Sequence, residues 1–234
     1  MEYDLYLAVG DSLSIDAYAG PGLGAASLLF KNHHELYPEF RGSDLSNLNA
    51  NCRLLNLAKD GGTIDSAISA VESLQPLGSN VLATITVGGN DLLAGLSDKS
   101  TFPDPWLGQF EEDLKYLLAL ILEKYPNSRV LVGNVYDVTD GTGIAQSRRW
   151  EAREFLPAVD AVNKIISRQA RAIGNGFVID INQHFLGHTV RFEDSTYEHY
   201  EAADPSCWIC LDIEPNARGS SEIRRLFWNA ASVG

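Results

Sequence analysis

Five short apolar runs that alternate with helical patterns constrain the fold of this chain more than any other feature. Each run meets Gly, Asn or Asp within two residues of its end, as buried strands do where they reach a loop. The runs are Tyr3–Val9, Leu54–Ala58, Val81–Val87, Val130–Val135 and Phe177–Ile181. Strands that alternate with helices form parallel sheets covered on both faces. The sequence therefore predicts an α/β fold, a three-layer doubly wound parallel sheet of five strands.

Three helical patterns lie between and after these runs. Apolar residues recur at three- and four-residue steps over 106–122, and Pro126 follows them. A second stripe covers 155–173 and ends at Gly174, and a third follows Pro215. Because no repeat, low-complexity tract or linker divides the chain, a single domain over residues 1–234 is expected.

Composition and charge exclude several classes of protein. The formal net charge of -13 is unfavourable for a nucleic-acid partner, which needs a basic face. No run approaches the ~18 uninterrupted apolar residues of a membrane span. The first twelve residues carry three acids and no basic residue, unlike a signal peptide, so a cytoplasmic protein is expected.

The cysteines carry little functional information. Three of them, Cys52, Cys207 and Cys210, are too few and of the wrong parity for a disulfide framework. Residues 207–210 have the CxxC spacing of redox pairs and zinc sites, but a second pair and a βαβ opening are lacking. We expect ordinary thiols, with a local disulfide or metal as the alternative.

Three motifs follow the carboxyl ends of predicted strands, where ligands bind in doubly wound sheets. GDSL at 10–13 places Ser12 directly after the first strand, on a turn where a hydroxyl can act as a nucleophile. Gly61 follows the second strand, and a glycine there lets a backbone amide approach a ligand closely. Asn90, in GGND at 88–91, follows the third strand with an amide donor. Since these strand ends share one edge of the sheet, the three residues are expected to lie together.

Each motif alone also has an ordinary structural interpretation. Asp11 and Ser12 are favoured as helix N-caps. Gly61 suits a left-handed turn ahead of a helix, and Asn90 suits a turn or a cap. The order and spacing of the three, rather than any one of them, favour a hydrolytic site.

In these residues the sequence resembles the SGNH (GDSL) hydrolase superfamily, which has Ser in GDS(L), Gly in N-x-x-x-x-G, Asn in GxND and a C-terminal D-x-x-H-P-N-x-x-G. The first three blocks match at Ser12, Gly61 and Asn90. The resemblance implies a flavodoxin-like fold with strand order 2-1-3-4-5. It also implies an oxyanion hole formed by the Ser12 and Gly61 amides and the Asn90 side chain.

The fourth block departs from that pattern. Residues 211–219 read LDIEPNARG, so that Glu214 stands where the family has its histidine base and Leu211 stands where it has its Asp. Asp212 is one position out of step. A serine hydroxyl needs a base, and an unshifted Glu is a weak one near neutral pH.

Three solutions to the proton transfer are open. A histidine from elsewhere approaches Ser12 and is oriented by Glu214 or Asp212. Alternatively, Glu214 is itself the base, with its pKa raised by desolvation. In the third solution the site binds a ligand without turnover.

The histidines differ in their positions along the chain. His33 and His34 follow the first strand and are expected to be exposed. Three others lie between the fifth strand and the 211–219 block, on the side of the candidate site. These are His184, His188 and His199. His188 is preferred because it follows Gly187, where a side chain can be presented freely, and His199 comes second.

Arginines provide candidate anion contacts. Residues 140–149 follow the fourth strand and form either a substrate wall, with Arg148 or Arg149 meeting a negative group, or a connecting loop. Arg218, Arg224 and Arg225 are expected to form helix-surface salt bridges in at least two cases.

The predicted function is hydrolysis of a small-molecule carboxylic or thio ester through an acyl-enzyme on Ser12. Proton transfer falls to His188 with Glu214 or Asp212, or to Glu214 directly. This chemistry requires no metal and no organic cofactor. The alternative is a catalytically impaired relative that binds a carbohydrate or acyl ligand, and a CxxC redox protein is the third class considered.

Overall fold

The computed structural model describes residues 2–75, 80–97, 103–145 and 155–232, and its centre is a parallel five-stranded sheet. The strands are β1 (Leu5–Gly10), β2 (Arg53–Asn56), β3 (Val81–Thr86), β4 (Arg129–Gly133) and β5 (Gly176–Ile179). Their order is β2-β1-β3-β4-β5, and every neighbouring pair is parallel. The predicted fold class and strand order are confirmed.

The core is centred on β1 and β3. Every residue of both strands is buried, and they pair in register from Leu5 opposite Val81 to Gly10 opposite Thr86. Strands buried on both faces show nearly continuous apolar runs rather than alternation, and for this reason the sequence predicts both strands.

Helices cover the sheet on both sides. In chain order they are α1 (Ala25–Phe30), α2 (Leu45–Leu48), α3 (Ile64–Glu72), α4 (Gly89–Ser97), α5 (Trp106–Lys124), α6 (Phe155–Ala172), α7 (Ile181–Phe185) and α8 (Ala217–Ser232). α1 packs against α8, whereas α5 packs against α3 and α6. The three helical patterns seen in the sequence correspond to α5, α6 and α8.

Some predicted strand boundaries were wrong by one to two residues. β5 ends at Ile179 because the Asp180 side chain accepts a hydrogen bond from the Gln183 amide and caps α7, so Ile181 is helical. β2 likewise begins one residue earlier than predicted and ends at Asn56. Periodicity alone does not detect such caps.

A small antiparallel hairpin precedes α8. β6 (Ile209–Cys210) pairs with β7 (Glu214–Pro215), so that Cys210 lies opposite Glu214. Leu211 and Asp212 in its loop have positive φ angles of 48° and 73°. This hairpin presents Glu214 to the edge of the sheet where the motifs meet.

None of the helices in the described ranges has the length and apolar character of a membrane span. The three cysteines are free thiols.

Candidate active site

Ser12 begins a short 3-10 turn, Ser12–Ser14, that follows β1 without a gap. Asp11 caps this turn, with its carboxylate 3.1 Å from the Leu13 amide that donates to it. Position 10 requires a glycine, because its φ is 148° and a Cβ there would lie 2.3 Å from the Thr86 hydroxyl oxygen. The local sequence therefore holds Ser12 at the carboxyl end of the central strand, with 7% of its surface exposed.

Gly61 and Asn90 lie at the ends of the two strands that flank β1. Gly61 has a φ of 64°, and the Asn90 side-chain nitrogen donates to the Gly62 carbonyl at 3.0 Å, which ties α4 to this glycine turn. Within the described ranges, the Ser12 and Gly61 amides donate to no protein acceptor. Two unused amides and an amide side chain are the donor types from which an oxyanion hole is built.

A small pocket of about 50 Å³ lies over Ser12. Asn90 and Glu214 also line it, whereas Gly61 does not. The rest of its lining is mainly apolar and is formed by Asp11, Leu13, Gly89, Leu93, Val135, Tyr136, Val138, Phe155 and Ile213. Since one water-sized sphere occupies roughly 10–15 Å³, the pocket admits only a small group.

Glu214 is the carboxylate that approaches Ser12. Only 8% of the residue is exposed, and this burial raises the pKa of Glu214. The nearby Ser12 hydroxyl acts in the opposite direction on that pKa, and the charge of Asp60 raises it further. Glu214 Oε2 is buried and has no hydrogen-bond partner in the described part of the chain. Glu214 is thus a partly desolvated acceptor beside the candidate nucleophile.

A tyrosine fixes the chain next to Glu214. Tyr136, three residues beyond β4, is buried and donates its hydroxyl hydrogen to the carbonyl of Ile213. Burial, with the charge of Glu214, raises the pKa of Tyr136, so this hydroxyl remains a donor. Sequence reasoning missed Tyr136, although its place after a strand end on the same edge was a usable signal.

The histidines do not line this pocket. His188, expected to be freely presented, is instead buried: Gly187 turns with a φ of 86°, and the His188 ring stacks on Trp208 with 3.5 Å between centroids. Its Nδ1 lies 3.2 Å from the Ser206 carbonyl and its Nε2 lies 3.2 Å from Glu201.

The other histidines are also occupied elsewhere or exposed. His199 is half-buried and lies 3.7 Å from Glu198, and His184 lies 3.0 Å from Glu222. His33 and His34 are exposed, as expected. In the described part of the chain, the pocket lining contains no histidine.

Comparison with known proteins identifies the family of this chain. The family model described as GDSL-like Lipase/Acylhydrolase family matches residues 8–221. The chain belongs to the GDSL-like lipase/acylhydrolase family. Search of curated protein sequences gives no match.

Solved GDSL-type and other esterase structures resemble the chain over nearly its whole length. LAE5, an alpha/beta hydrolase enzyme from the metagenome of Lake Arreo, Spain, is 20% identical with a TM-score of 0.62, covering 97% of this chain and 94% of that one. A variant of Axe2, an acetyl xylan esterase from Geobacillus stearothermophilus, is 17% identical with a TM-score of 0.60 and the same coverage. The psychrotrophic esterase EstA from Pseudoalteromonas sp. is 17% identical with a TM-score of 0.59, covering 97% and 96%. At these identities the structures support the shared fold.

The C-terminal block of this GDSL family member is built differently from the pattern. Leu211, at the position of the family's Asp, is 72% exposed on the hairpin loop, and Asp212 beside it does not line the pocket. Of the two carboxylates predicted in this block, Asp212 and Glu214, only Glu214 lines the pocket with Ser12.

The arginines lie away from the pocket. Arg218 and Arg225 both pair with the buried Glu222, at 3.1 and 2.9 Å, as predicted for two of the three in helix α8. Arg224 is fully buried, with its guanidinium 3.4 Å from the centroid of the Phe40 ring. Arg148 and Arg149 lie outside the described residues.

No group of three His, Cys, Asp or Glu side chains with metal-site geometry occurs in the described ranges. The polar groups at or beside the Ser12 pocket are a hydroxyl, carboxylates, amides and a carboxamide, which are types of group that acyl transfer can use.

Proposed function

We propose that this GDSL family protein is an ester hydrolase that works through an acyl-enzyme on Ser12, with Glu214 as the proton acceptor. The observation that carries the proposal is that Ser12 and the buried Glu214 carboxylate line the same small pocket, with the carboxylate as the candidate acceptor beside the hydroxyl. Family membership and the esterases among the similar structures support ester hydrolysis as the reaction class.

The proposed reaction has two halves. In the first, Glu214 takes the hydroxyl proton as Ser12 Oγ attacks the ester carbonyl, and the resulting oxyanion accepts hydrogen bonds from the Ser12 and Gly61 amides and the Asn90 side chain. Glu214 then returns the proton to the leaving alcohol as the acyl–oxygen bond breaks. In the second half, Glu214 deprotonates a water molecule that attacks the acyl-enzyme, which releases the acid and restores Ser12.

Burial makes a glutamate a better base than it is in water. A carboxylate in a low-dielectric site holds a proton more tightly, and the direction of the Glu214 pKa shift is upward for that reason. A base is more effective as its pKa approaches the working pH. Desolvation of Glu214 therefore restores part of the basicity that is lost when a glutamate replaces the family's histidine.

The pocket favours a short acyl group. A volume of about 50 Å³ with mainly apolar lining suits an acetyl group better than a long chain. One of the similar structures is an acetyl xylan esterase, which acts on esters with an acyl group of that size. Acetyl esters are accordingly the substrates to test first.

The pH profile and the variants at position 214 test the proposal together. We expect hydrolysis of p-nitrophenyl acetate to fall as the pH is lowered through the raised pKa of Glu214, because only the ionised carboxylate accepts a proton. Glu214→Gln, which keeps the size and removes the base, should lower kcat by about 10²–10⁴-fold. Glu214→His restores the family's base and should move the acidic limb of the profile towards the pKa of an imidazole.

Matched variants separate the alternatives. Ser12→Ala should abolish both turnover and labelling by a fluorophosphonate. His188→Ala should leave the pH profile unchanged, whereas loss of activity with an intact fold would make His188 the base instead. If the native protein shows neither labelling of Ser12 nor turnover at any pH, the alternative holds. The protein then binds a ligand without turnover, as the absence of the family's histidine also suggests.

A further inference from the structure

A second concave site lies beside the carboxyl ends of β4 and β5. It is a cleft of about 320 Å³, walled by α6, α7 and Tyr197, and is far roomier than the Ser12 pocket. The two share the segment that follows β4: Val135 and Tyr136 line the pocket, whereas Asn134 and Asp137 line the cleft. The cleft shares no lining residue with the Ser12 pocket, and the proposed ester chemistry does not use it.

The lining of the cleft is polar and already ordered. Of its 12 lining residues, seven carry a carboxylate or a carboxamide, and none is Lys or Arg. Asn134 donates to Asp180 at 2.8 Å and accepts from the Asn182 amide at 2.8 Å, while Asn182 Oδ1 accepts from the Asp137 amide at 2.7 Å. These bonds fix the side chains before a ligand arrives, which reduces the entropic cost of binding.

The same network leaves polar atoms unused. Asp180 Oδ2, Asn182 Nδ2, the Gln183 carboxamide and the Tyr197 hydroxyl form no hydrogen bond with any described residue. Asp180 and Gln183 are exposed, and the atoms of Asn182 and Tyr197 are not among the buried unsatisfied ones, so all four groups can be reached by a ligand. Together they offer both donors and acceptors, and a carboxylate among them.

An apolar strip completes the cleft. Leu156 and Val159 from α6 and Leu186 after α7 line it alongside the polar groups. A ligand that fits must therefore present C–H surface on one side and groups that both donate and accept on the other.

We propose that this cleft binds a neutral sugar. Hydroxyl groups donate to the Asp180 carboxylate and accept from Asn182 and Gln183, and the C–H face of a pyranose ring fits the leucine and valine strip. Anionic ligands are disfavoured, because Asp137 and Asp180 line the cleft and no lining side chain is cationic, whereas the third acid, Asp160, is paired with Lys164 at 2.6 Å. The site is independent of the proposed ester hydrolysis.

Saturation-transfer NMR and titration calorimetry on the full chain test this proposal with methyl xyloside, methyl glucoside, glucuronate and glucosamine. We expect saturable binding of at least one neutral glycoside and weaker binding of glucuronate. Gln183→Ala and Asp180→Asn should each weaken it by about tenfold or more, the loss of one well-formed hydrogen bond to a charged or amide group. Asparagine can still cap α7, so the second variant keeps the fold.

Two controls bound the result. Gln109→Ala removes an exposed glutamine on α5, and Ser12→Ala removes the proposed nucleophile. Both variants should bind the sugar as tightly as the native protein does. This expectation holds whether or not the protein hydrolyses esters. The proposal is overturned if no neutral sugar binds, or if Gln183→Ala and Asp180→Asn bind as tightly as the native protein. Binding of glucosamine alone would identify a cation site and also overturn it.

Discussion

Asp11 is a buried acid whose protonation state should govern how the stability of this protein depends on pH. Only 4% of it is exposed, and burial, opposed by hydrogen bonds from Leu13 and Thr86 and assisted by the charges of Glu214 and Asp91, raises its pKa from 3.8 to about 7. At about 1.36 kcal/mol per pKa unit, this rise corresponds to ~4 kcal/mol.

The sign follows from proton linkage. Because the folded state binds the Asp11 proton more tightly than the unfolded chain does, the stabilisation is fully present below pH 3.8 and is lost as the pH rises to about 7. Asp11→Asn is neutral at every pH and keeps the oxygen that accepts from the Leu13 amide. The free energy of unfolding of the variant should therefore match that of the native protein near pH 4 and exceed it by up to ~4 kcal/mol at pH 8.

Urea unfolding at a series of pH values from 4 to 8 measures this difference directly. Asp65→Asn is the control, because it makes the same chemical change at an aspartate that is exposed on α3. A difference between Asp11→Asn and the native protein that does not change with pH would refute the reasoning, since Asp11 would then ionise in the folded protein as it does in water.

Further variants test the backbone and the buried charge network. Gly62→Ala should destabilise the protein by roughly 1–3 kcal/mol in thermal unfolding, because the new Cβ would lie 2.3 Å from the Gly10 carbonyl oxygen. In Gly61→Ala the new Cβ meets no atom, but the backbone is strained at a φ of 64°, and the variant should lose about 1–2 kcal/mol of stability. Glu222 is buried, yet hydrogen bonds from its neighbours lower its pKa from 4.5 to about 2. About 3 kcal/mol of stability, present above pH 4.5, should therefore be lost as the pH falls to 2. The stability of Glu222→Gln should lack this pH dependence. Leu211→Gly should raise the melting temperature slightly, because a φ of 48° strains an exposed leucine by about 1 kcal/mol.

The sequence was sufficient for the parts of the fold that depend on burial alone. β1 and β3 are buried along their whole length and are mostly apolar, and the strand-end rule then places Ser12 and Asn90 at one edge. The end of β5 was misplaced because a single side-chain cap at Asp180 decides it, and no periodicity records such a bond.

The proton acceptor could not be chosen from the sequence for a different reason. His188 follows a glycine, which suggests an exposed ring, but its environment is set by Trp208 and Ser206, about twenty residues further along the chain. Glu214 becomes a candidate base only because the hairpin buries it beside Ser12. Both outcomes depend on tertiary contacts that no local pattern encodes.

Two buried carboxylates flank Ser12, and their different pKa shifts suggest a division of roles. Asp11 precedes Ser12 in the chain and, with a pKa of about 7 raised in part by the charge of Glu214, holds a proton up to neutral pH. Glu214 lies beside Ser12 in the same pocket, and a protonated Asp11 adds no second negative charge that would oppose its ionisation. Asp11→Asn, which fixes the neutral state, should therefore retain ester hydrolysis at neutral pH. Loss of p-nitrophenyl acetate turnover in a folded Asp11→Asn protein would show instead that the Asp11 charge itself takes part in the reaction.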